Sequence, residues 1–335
     1  SGKGGLSVAV ATGRAPVATA PDSPAPPAAG IAVHINLKPL FALLTMSLLW
    51  GYAWTGLKIG LLDCPPYLFA ALRMMLGALC LLLILGFTRH PFKPERVPEL
   101  LLLGLVQTTA LFTLSTWAVA QGSAGRVAFL AYTMPFFTLL LAWPLLGEKV
   151  RGLQWLAIAC AAAGLVAIVQ PWQASGTLLS NVLAIGAGIA WALGAIMVKR
   201  LQRRAPMDLI SMTAWQMFLG SIPLMGIAWL VPEAAIIWSP RFILVLILIG
   251  VVTTAFGWLL WVYVLDNMSA GTASLGTLAA PVVAMASSHY HFGEQPDPIE
   301  LGGMALIVTA LLVLSINALR GRRVPPSVTV QADGG

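Results

Sequence analysis

Charge is what this chain has least of: Asp, Glu, Lys and Arg make up 9% of its 335 residues, whereas a water-soluble domain carries roughly a quarter. With 59% apolar residues there is too little polar surface to face water on all sides, so lipid must be part of the solvent. Acids are scarcer still, twelve in all. Each falls in a tail, a loop or an end turn of an apolar run, which leaves no carboxylate near a membrane midplane to bind a proton. Cysteine is equally thin. Cys64, Cys80 and Cys160 stand at unrelated spacings, which excludes a disulfide framework and a zinc knuckle. Also missing are a phosphate-binding P-loop, a His-Glu-x-x-His metal motif, paired intramembrane aspartates and a deep Ser and His pair. Nucleotide hydrolysis and intramembrane proteolysis are thereby excluded: no catalytic residue, metal ligand, nucleotide or cofactor is assigned, and the chain is not expected to be an enzyme. His289, His291 and Glu294 come nearest to a ligand cluster, but helix residues two apart point to different faces. The net charge of +7 does not indicate a nucleic-acid partner, because the basic residues sit in short clusters between apolar runs, as topology signals do.

What is present is a series of ten apolar runs, near residues 39–61, 66–87, 97–120, 124–146, 150–170, 177–199, 207–230, 240–265, 270–292 and 299–319. Each approaches the twenty residues or so that cross a hydrocarbon core. Lipid offers the backbone no hydrogen-bond partner, so a spanning chain forms helices or a closed barrel, and unbroken runs without period-two alternation select helices. The connections carry turn formers such as Pro65-Pro66, Gly147 and Pro296 with Pro298. If both termini are cytoplasmic, that side collects the basic residues of the tails together with Arg89, Lys93, Arg96, Lys149, Arg151, Lys199, Arg200, Arg203 and Arg204. The opposite side keeps only Arg241 outside the helices, and this bias fixes the expected orientation.

The second half repeats the first. Residues 123–148 match 269–294 at a constant offset of 146: Ser123-Ala124-Gly125 with Ser269-Ala270-Gly271, Pro135 with Pro281, and Gly147-Glu148 with Gly293-Glu294. Trp50 and Lys58 pair with Trp191 and Lys199 at an offset of 141. Five helices per half is an odd number, so the halves enter the membrane in opposite senses. The expected fold is an all-α integral membrane protein of ten transmembrane helices, built as two inverted five-helix repeats. Its parts are a disordered cytoplasmic tail (1–38), a first repeat (39–170), a second, inverted repeat (171–319) and a cytoplasmic tail (320–335). Residues 1–33, rich in Ala, Pro and Gly, lack the basic stretch and apolar run of a signal peptide. Inverted repeats in carriers place a substrate site near the midplane, between two nearly equivalent gates.

Two five-helix repeats, Trp50-Gly51 in the first helix, and a proline followed by Gly-Glu in each half resemble the drug/metabolite transporter superfamily, specifically its EamA-type ten-helix permeases. The resemblance covers residues 39–319. It implies a bacterial-type inner-membrane exporter of amino acids, other metabolites or toxic compounds, with the amino-acid exporters, including the aromatic branch, the nearest likeness. It also implies a central cavity lined by the first four helices of each half, with the fifth and tenth standing outside. Trp215-Gln216 and the aromatic preceding each Ser-Ala-Gly turn, Trp117 and Tyr263, follow the family pattern.

Several residues are candidates for that cavity. Trp50 and Trp54, four apart, share a helix face, as do Trp258 and Trp261. Deep tryptophans such as these, Trp191 and Trp215 need a partner for the indole N–H or a polar space to face. Gln107 and Gln216 cannot reach water from mid-helix and so face a cavity or another helix. Tyr132, Tyr263 and Ser274 are polar positions within the runs, although Ser and Thr hydroxyls often bond back to their own helix. Arg73 lies about a third of the way into its helix, where insertion costs on the order of 2.5–3.5 kcal/mol at the membrane centre; the alternative is snorkelling to the nearer interface. Lys58 and Arg126 are nearer the ends and are expected to snorkel. Pro135 and Pro281 each remove a helix hydrogen bond, giving kinks that act as gate hinges or merely shape the packing. The expected function is export of amino acids or similar small amphipathic metabolites by alternating access, facilitative and without proton coupling, with a sodium site built from backbone carbonyls at a broken helix left open. A non-transporting receptor or assembly subunit is the alternative, and it gains nothing from two equivalent gates. The partners are a small-molecule substrate and the lipid bilayer. The stripe Ala159, Ala161, Ala162, Ala163 and Gly164 suits close packing against a helix without fixing an oligomeric state.

Overall fold

The computed structural model describes residues 37–173, 177–268 and 278–320. Among the described residues the regular structure is entirely helical, as ten membrane helices in two sets of five. The first set is α1 (Leu37–Gly60), α2 (Pro66–Phe87), α3 (Val97–Gln121), α4 (Ala124–Leu146) and α5 (Leu153–Val169). The second is α6 (Leu178–Arg204), α7 (Leu209–Leu230), α8 (Pro240–Asn267), α9 (Ala279–Phe292) and α10 (Pro298–Arg320). Eight of these ten are long and apolar enough to cross a membrane; α5, with 17 residues, is shorter than the sequence predicts, and α9 has 14 residues among those described. The first part of the run expected from 270, with Ser274 and the second Ser-Ala-Gly turn, lies outside the described residues.

Local chemistry explains the breaks. Prolines open α2 and α10 at the first turn, where a missing N–H costs nothing. Ser123 caps α4 by accepting the Arg126 N–H at 3.3 Å, and Asp208 caps α7 by accepting the Ser211 N–H at 2.8 Å. In α4 the chain leaves α geometry at Tyr132 and Thr133, just ahead of Pro135, which has no N–H to continue the ladder. Gly147 and Gly293 end α4 and α9 with φ of 71° and 65°. The duplicated Gly-Glu motif is thus a left-handed helix stop that sets the following carboxylate at a fixed position.

The helix contacts obey a two-fold symmetry. α2 packs on α7 and α5 on α10, each helix against its own counterpart. α1 lies against α9 and α8, as α6 lies against α4 and α3. The close crossings match as well. A side chain on Gly104 of α3 would meet the Gln216 carbonyl of α7 at 2.5 Å, and one on Gly77 of α2 would meet the Gly250 carbonyl of α8 at 2.9 Å. α5 and α10 cross where Gly164 and Gly303 face each other's carbonyls, so Ala161 and Gly164 of the small-residue stripe are buried within the chain while Ala159, Ala162 and Ala163 stay exposed. Beside Gly104 and around Gly250, α3 and α8 each contain a π-helical stretch, Leu105–Ala110 and Leu248–Phe256, at corresponding places in the two halves. Hydropathy carries no signal for these wide turns.

Candidate functional site

Between the halves lie two cavities that share one aromatic partition. The larger, about 640 Å³, reaches the end of the bundle marked by Lys199 and is bordered by Gln107, Pro135, Thr213, Gln216 and Val198, among others. The smaller, about 80 Å³, lies towards the Lys58 end and is bordered by Trp54, Arg73, Phe112, Ser115 and Thr254. Trp50, Tyr132, Trp191 and Trp258 border both. The matched tryptophans of the two repeats meet here: the Trp50 ring is 6.3 Å from Trp191, 5.6 Å from Trp258 and 6.0 Å from Trp261, and Tyr132 is 5.5 Å from Trp191. The Trp50 indole N–H donates to the Thr253 carbonyl at 3.1 Å, within the π-helical stretch of α8. Gly257 leaves room for that indole, since a Cβ there would stand 2.5 Å from its nitrogen.

The two ends differ. At the Lys58 end, Glu294 receives hydrogen bonds from Lys58 and Ser288, from the Ser123 hydroxyl at 2.5 Å and from the Ala124 N–H at 3.3 Å, and Lys58 also donates to the Gly122 carbonyl at 3.1 Å. This ties α1, α4 and α9 together. Burial pushes the Glu294 carboxyl up, but Lys58, Ser123 and Ser288 together outweigh it and hold the group below the usual carboxylate range. Alongside, Arg126 pairs with Glu300, Arg241 grips Asp63 through two nitrogens at 2.7 and 2.9 Å, and Glu233 accepts the N–H groups of Tyr67 and Leu68 at the start of α2. At the Lys199 end, Glu148, the repeat counterpart of Glu294, takes Lys199 at 2.7 Å and Arg203 at 2.5 Å. Its side chain is 36% exposed against 13% for Glu294. One end is sealed by a buried network, whereas the other carries a solvent-facing ion pair beside the large cavity.

The positions expected in the wall divide. Trp50, Trp54, Arg73, Gln107, Tyr132, Trp191, Gln216 and Trp258 border one or both cavities, as does Pro135. Trp117, Trp215 and Tyr263 correct the expectation and stand outside both linings. The Trp117 ring packs on Tyr67 at 5.7 Å, the Trp215 indole donates to the Phe92 carbonyl at 2.8 Å near the membrane edge, and Tyr263 is exposed. Pro281 is buried where α9 meets α1 and lines neither cavity. α5 and α10, expected outside, contribute Gln154, Leu311, Leu314, Ser315 and Asn317 to the large cavity, because their mutual crossing brings them against its open end. Lys58 and Arg126 find carboxylates instead of snorkelling.

The sequence also carries a third repeat match, beyond the Ser-Ala-Gly and tryptophan pairs. Arg73-Met74-Met75-Leu76-Gly77 corresponds to Gln216-Met217-Phe218-Leu219-Gly220 at a spacing of 143, so the buried Arg and the buried Gln are counterparts on α2 and α7. Gln216 accepts from the Thr108 hydroxyl at 3.0 Å.

Comparison with known proteins places this architecture. Residues 37–170 and 178–316 each match the EamA-like transporter family. The uncharacterized transporter YoaV of Bacillus subtilis is 27% identical over 77% of this chain and 90% of its own length. A probable amino-acid metabolite efflux pump of Escherichia coli is 29% identical over 84% of this chain and 95% of its own. A crystal structure with 18% identity superposes with a TM-score of 0.59, covering 85% of this chain and 99% of its own, which supports the fold alone.

Proposed function

The chain belongs to the EamA-like transporter family, a family of multi-pass membrane transporters, and on that footing we propose that it exports amino acids or similar small amphipathic metabolites by alternating access. The carrying observation is the roughly 640 Å³ cavity between matched halves, reaching the Lys199 end while a buried network closes the Lys58 end. With both termini cytoplasmic in a bacterial-type inner membrane, as the basic bias favours, the Lys199 end faces inward, and this arrangement is the cytoplasm-facing state of the cycle. Residues 39–170 and 171–319 act as the two inverted repeats. Trp50, Tyr132, Trp191 and Trp258 divide the substrate route, and Gln107 and Gln216 offer hydrogen bonds on the inward side.

Opening the Lys58 end requires Glu294 to leave Ser123 and Lys58, and the pseudo-equivalence of the halves lets the opposite end close in exchange. The protein's own residues bind, orient and gate; the reading assigns them no covalent step. Flux of labelled amino acids into proteoliposomes tests it. Saturable movement of at least one member of a twenty-amino-acid panel, absent from protein-free vesicles, is expected. Total absence of flux for amino acids and their simple derivatives would return the chain to the receptor or assembly-subunit reading.

A further inference from the structure

Arg73 is the one cation bordering either cavity among the described residues. It lies seven residues into α2, about 10 Å along the helix axis from Pro66 at the rise of an α-helix. An arginine placed there for structure alone would turn its head to the nearer interface. Instead the residue is 7% exposed and its guanidinium carbon sits 4.9 Å from the centre of the Phe112 ring, against the small cavity. Among the described residues no hydrogen bond or ion pair reaches its side chain, and its buried Nε has no partner. Every other buried or half-buried charge described above has found one: Lys58, Asp63, Arg126, Glu233, Glu294 and Glu300. One aromatic face returns only part of what desolvating a guanidinium costs.

The repeat sharpens the contrast. The counterpart of Arg73 is Gln216, a neutral amide whose oxygen accepts from the Thr108 hydroxyl, so the cation is an addition to one arm of an otherwise matched pair. Neither cavity has an Asp or Glu in its described lining, which leaves a ligand ammonium without a carboxylate to meet. The small cavity that the arginine borders is also lined by aromatic rings (Trp50, Trp54, Tyr132 and Trp258) and by the hydroxyl positions Ser115 and Thr254.

We propose that Arg73 is the anion-recognising group of the substrate site, and that the transported compounds carry a carboxylate on an apolar, preferably aromatic, body with no cationic group required. The guanidinium fork meets a carboxylate through two parallel N–H donors, the tryptophan cluster takes the apolar body, and an α-ammonium is tolerated in the wet large cavity without being selected. This rests on the carrier reading above and narrows its substrate class.

The test uses the full-length protein in proteoliposomes with three probes of similar size: 3-phenylpropionate, phenylalanine and phenylalaninamide, each corrected for protein-free vesicles. The wild type is expected to move 3-phenylpropionate at least as fast as phenylalanine, and phenylalaninamide about tenfold more slowly or less, the ratio that loss of one charge-assisted pair gives. R73Q should lose about tenfold on both carboxylates and bring the three probes to similar rates, while R73K keeps part of the preference. Where R73Q is poorly folded, ligand-induced thermal stabilisation of the wild type by 3-phenylpropionate but not by phenylalaninamide is the supporting measurement. Equal movement of amide and carboxylates, unchanged in R73Q, leaves the carrier standing and overturns the role of Arg73. Movement of phenylalanine without 3-phenylpropionate overturns the claim that no cation is required. Failure of all three probes to move or bind overturns the carrier reading for this class together with the inference.

Discussion

Glu294 and Glu148 occupy one repeat position in two environments, and their difference is measurable. Glu294 is held by five donors in a half-buried site, so E294Q leaves Lys58 without its charge partner and is expected to cost about 1–3 kcal/mol. E148Q disturbs an exposed pair and should cost no more than about 1 kcal/mol. Thermal melts of the two variants in detergent check the order, and equal losses would sink it. The pH dependence has a definite sign. Because the folded Glu294 carboxyl is held below its ordinary range, its stabilisation is complete above that range and is lost as pH falls through the folded value. The gap in Tm between wild type and E294Q should therefore be constant at neutral pH and narrow under acid conditions. Asp63 behaves in the same direction, held down by Arg241 first and by Ser239, so the comparison must be wild type against variant and not one melt alone. Beside Asp63, burial with the nearby Glu233 and Asp63 charges pushes the Cys64 thiol up to about 12. Maleimide at pH 7.5 is expected to leave Cys64 unmodified in the folded protein and to label it after denaturation; rapid labelling of the native state would contradict its burial.

At the scale of the helix, close crossings carry the packing, since lipid supplies no hydrophobic drive between apolar helices and small residues let backbones approach. Gly220 and Gly226 share α7 but face different surroundings. A Cβ on Gly220 would meet the Gly104 carbonyl at 2.5 Å and the Thr108 side chain at 2.6 Å, whereas one on Gly226 meets nothing within 4 Å. G220A should separate α3 from α7 at a cost of about 1–3 kcal/mol and weaken the Thr108 to Gln216 bond, while G226A should be neutral or gain up to about 1 kcal/mol of helix propensity. Melting temperatures of both, with substrate flux for G220A, decide it. Most helices were legible in the sequence because apolar length and turn residues fix where a chain can enter and leave lipid; α2 and α4 end where the runs end. The π-helical stretches were not, since one extra residue per turn leaves hydropathy unchanged. Direction was only half legible. Trp50 and Trp191 face each other because a matched pair near a two-fold axis must meet, but Trp215 turns to Phe92, and nothing in its spacing from Gln216 says that adjacent helix residues diverge towards a loop carbonyl. The α10 lining was hidden because it depends on how α5 and α10 cross, which is a property of two helices together.

For the molecule as a whole, the question is what drives a cycle between two pseudo-equivalent gates, and the placement of acids argues that nothing beyond the substrate gradient is needed. Proton-coupled carriers set a titratable group where substrate binds. Among the described residues, neither cavity is bordered by an Asp, Glu or His. Glu99 and Glu300 lie in first turns, Glu148, Glu233 and Glu294 lie in connections, and Glu294 and Glu300 are already engaged by Lys58 and Arg126. A proton taken up by Glu294 would loosen the seal at the Lys58 end without touching the substrate, which gives leakiness in acid and no fixed stoichiometry. A metabolite abundant in the cytoplasm leaves down its own gradient, and gates built from two matched halves suit that task without an ion to drive them. The prediction is made for phenylalanine, whose zwitterion has no net charge. Its efflux from proteoliposomes should proceed at the same rate, within about twofold, with or without an imposed pH gradient, and should stop when inside and outside concentrations are equal. A membrane potential should leave that end point unchanged, because no net charge crosses with the zwitterion. Accumulation of phenylalanine against its own gradient, appearing only when a pH or sodium gradient is present, would show a coupled mechanism.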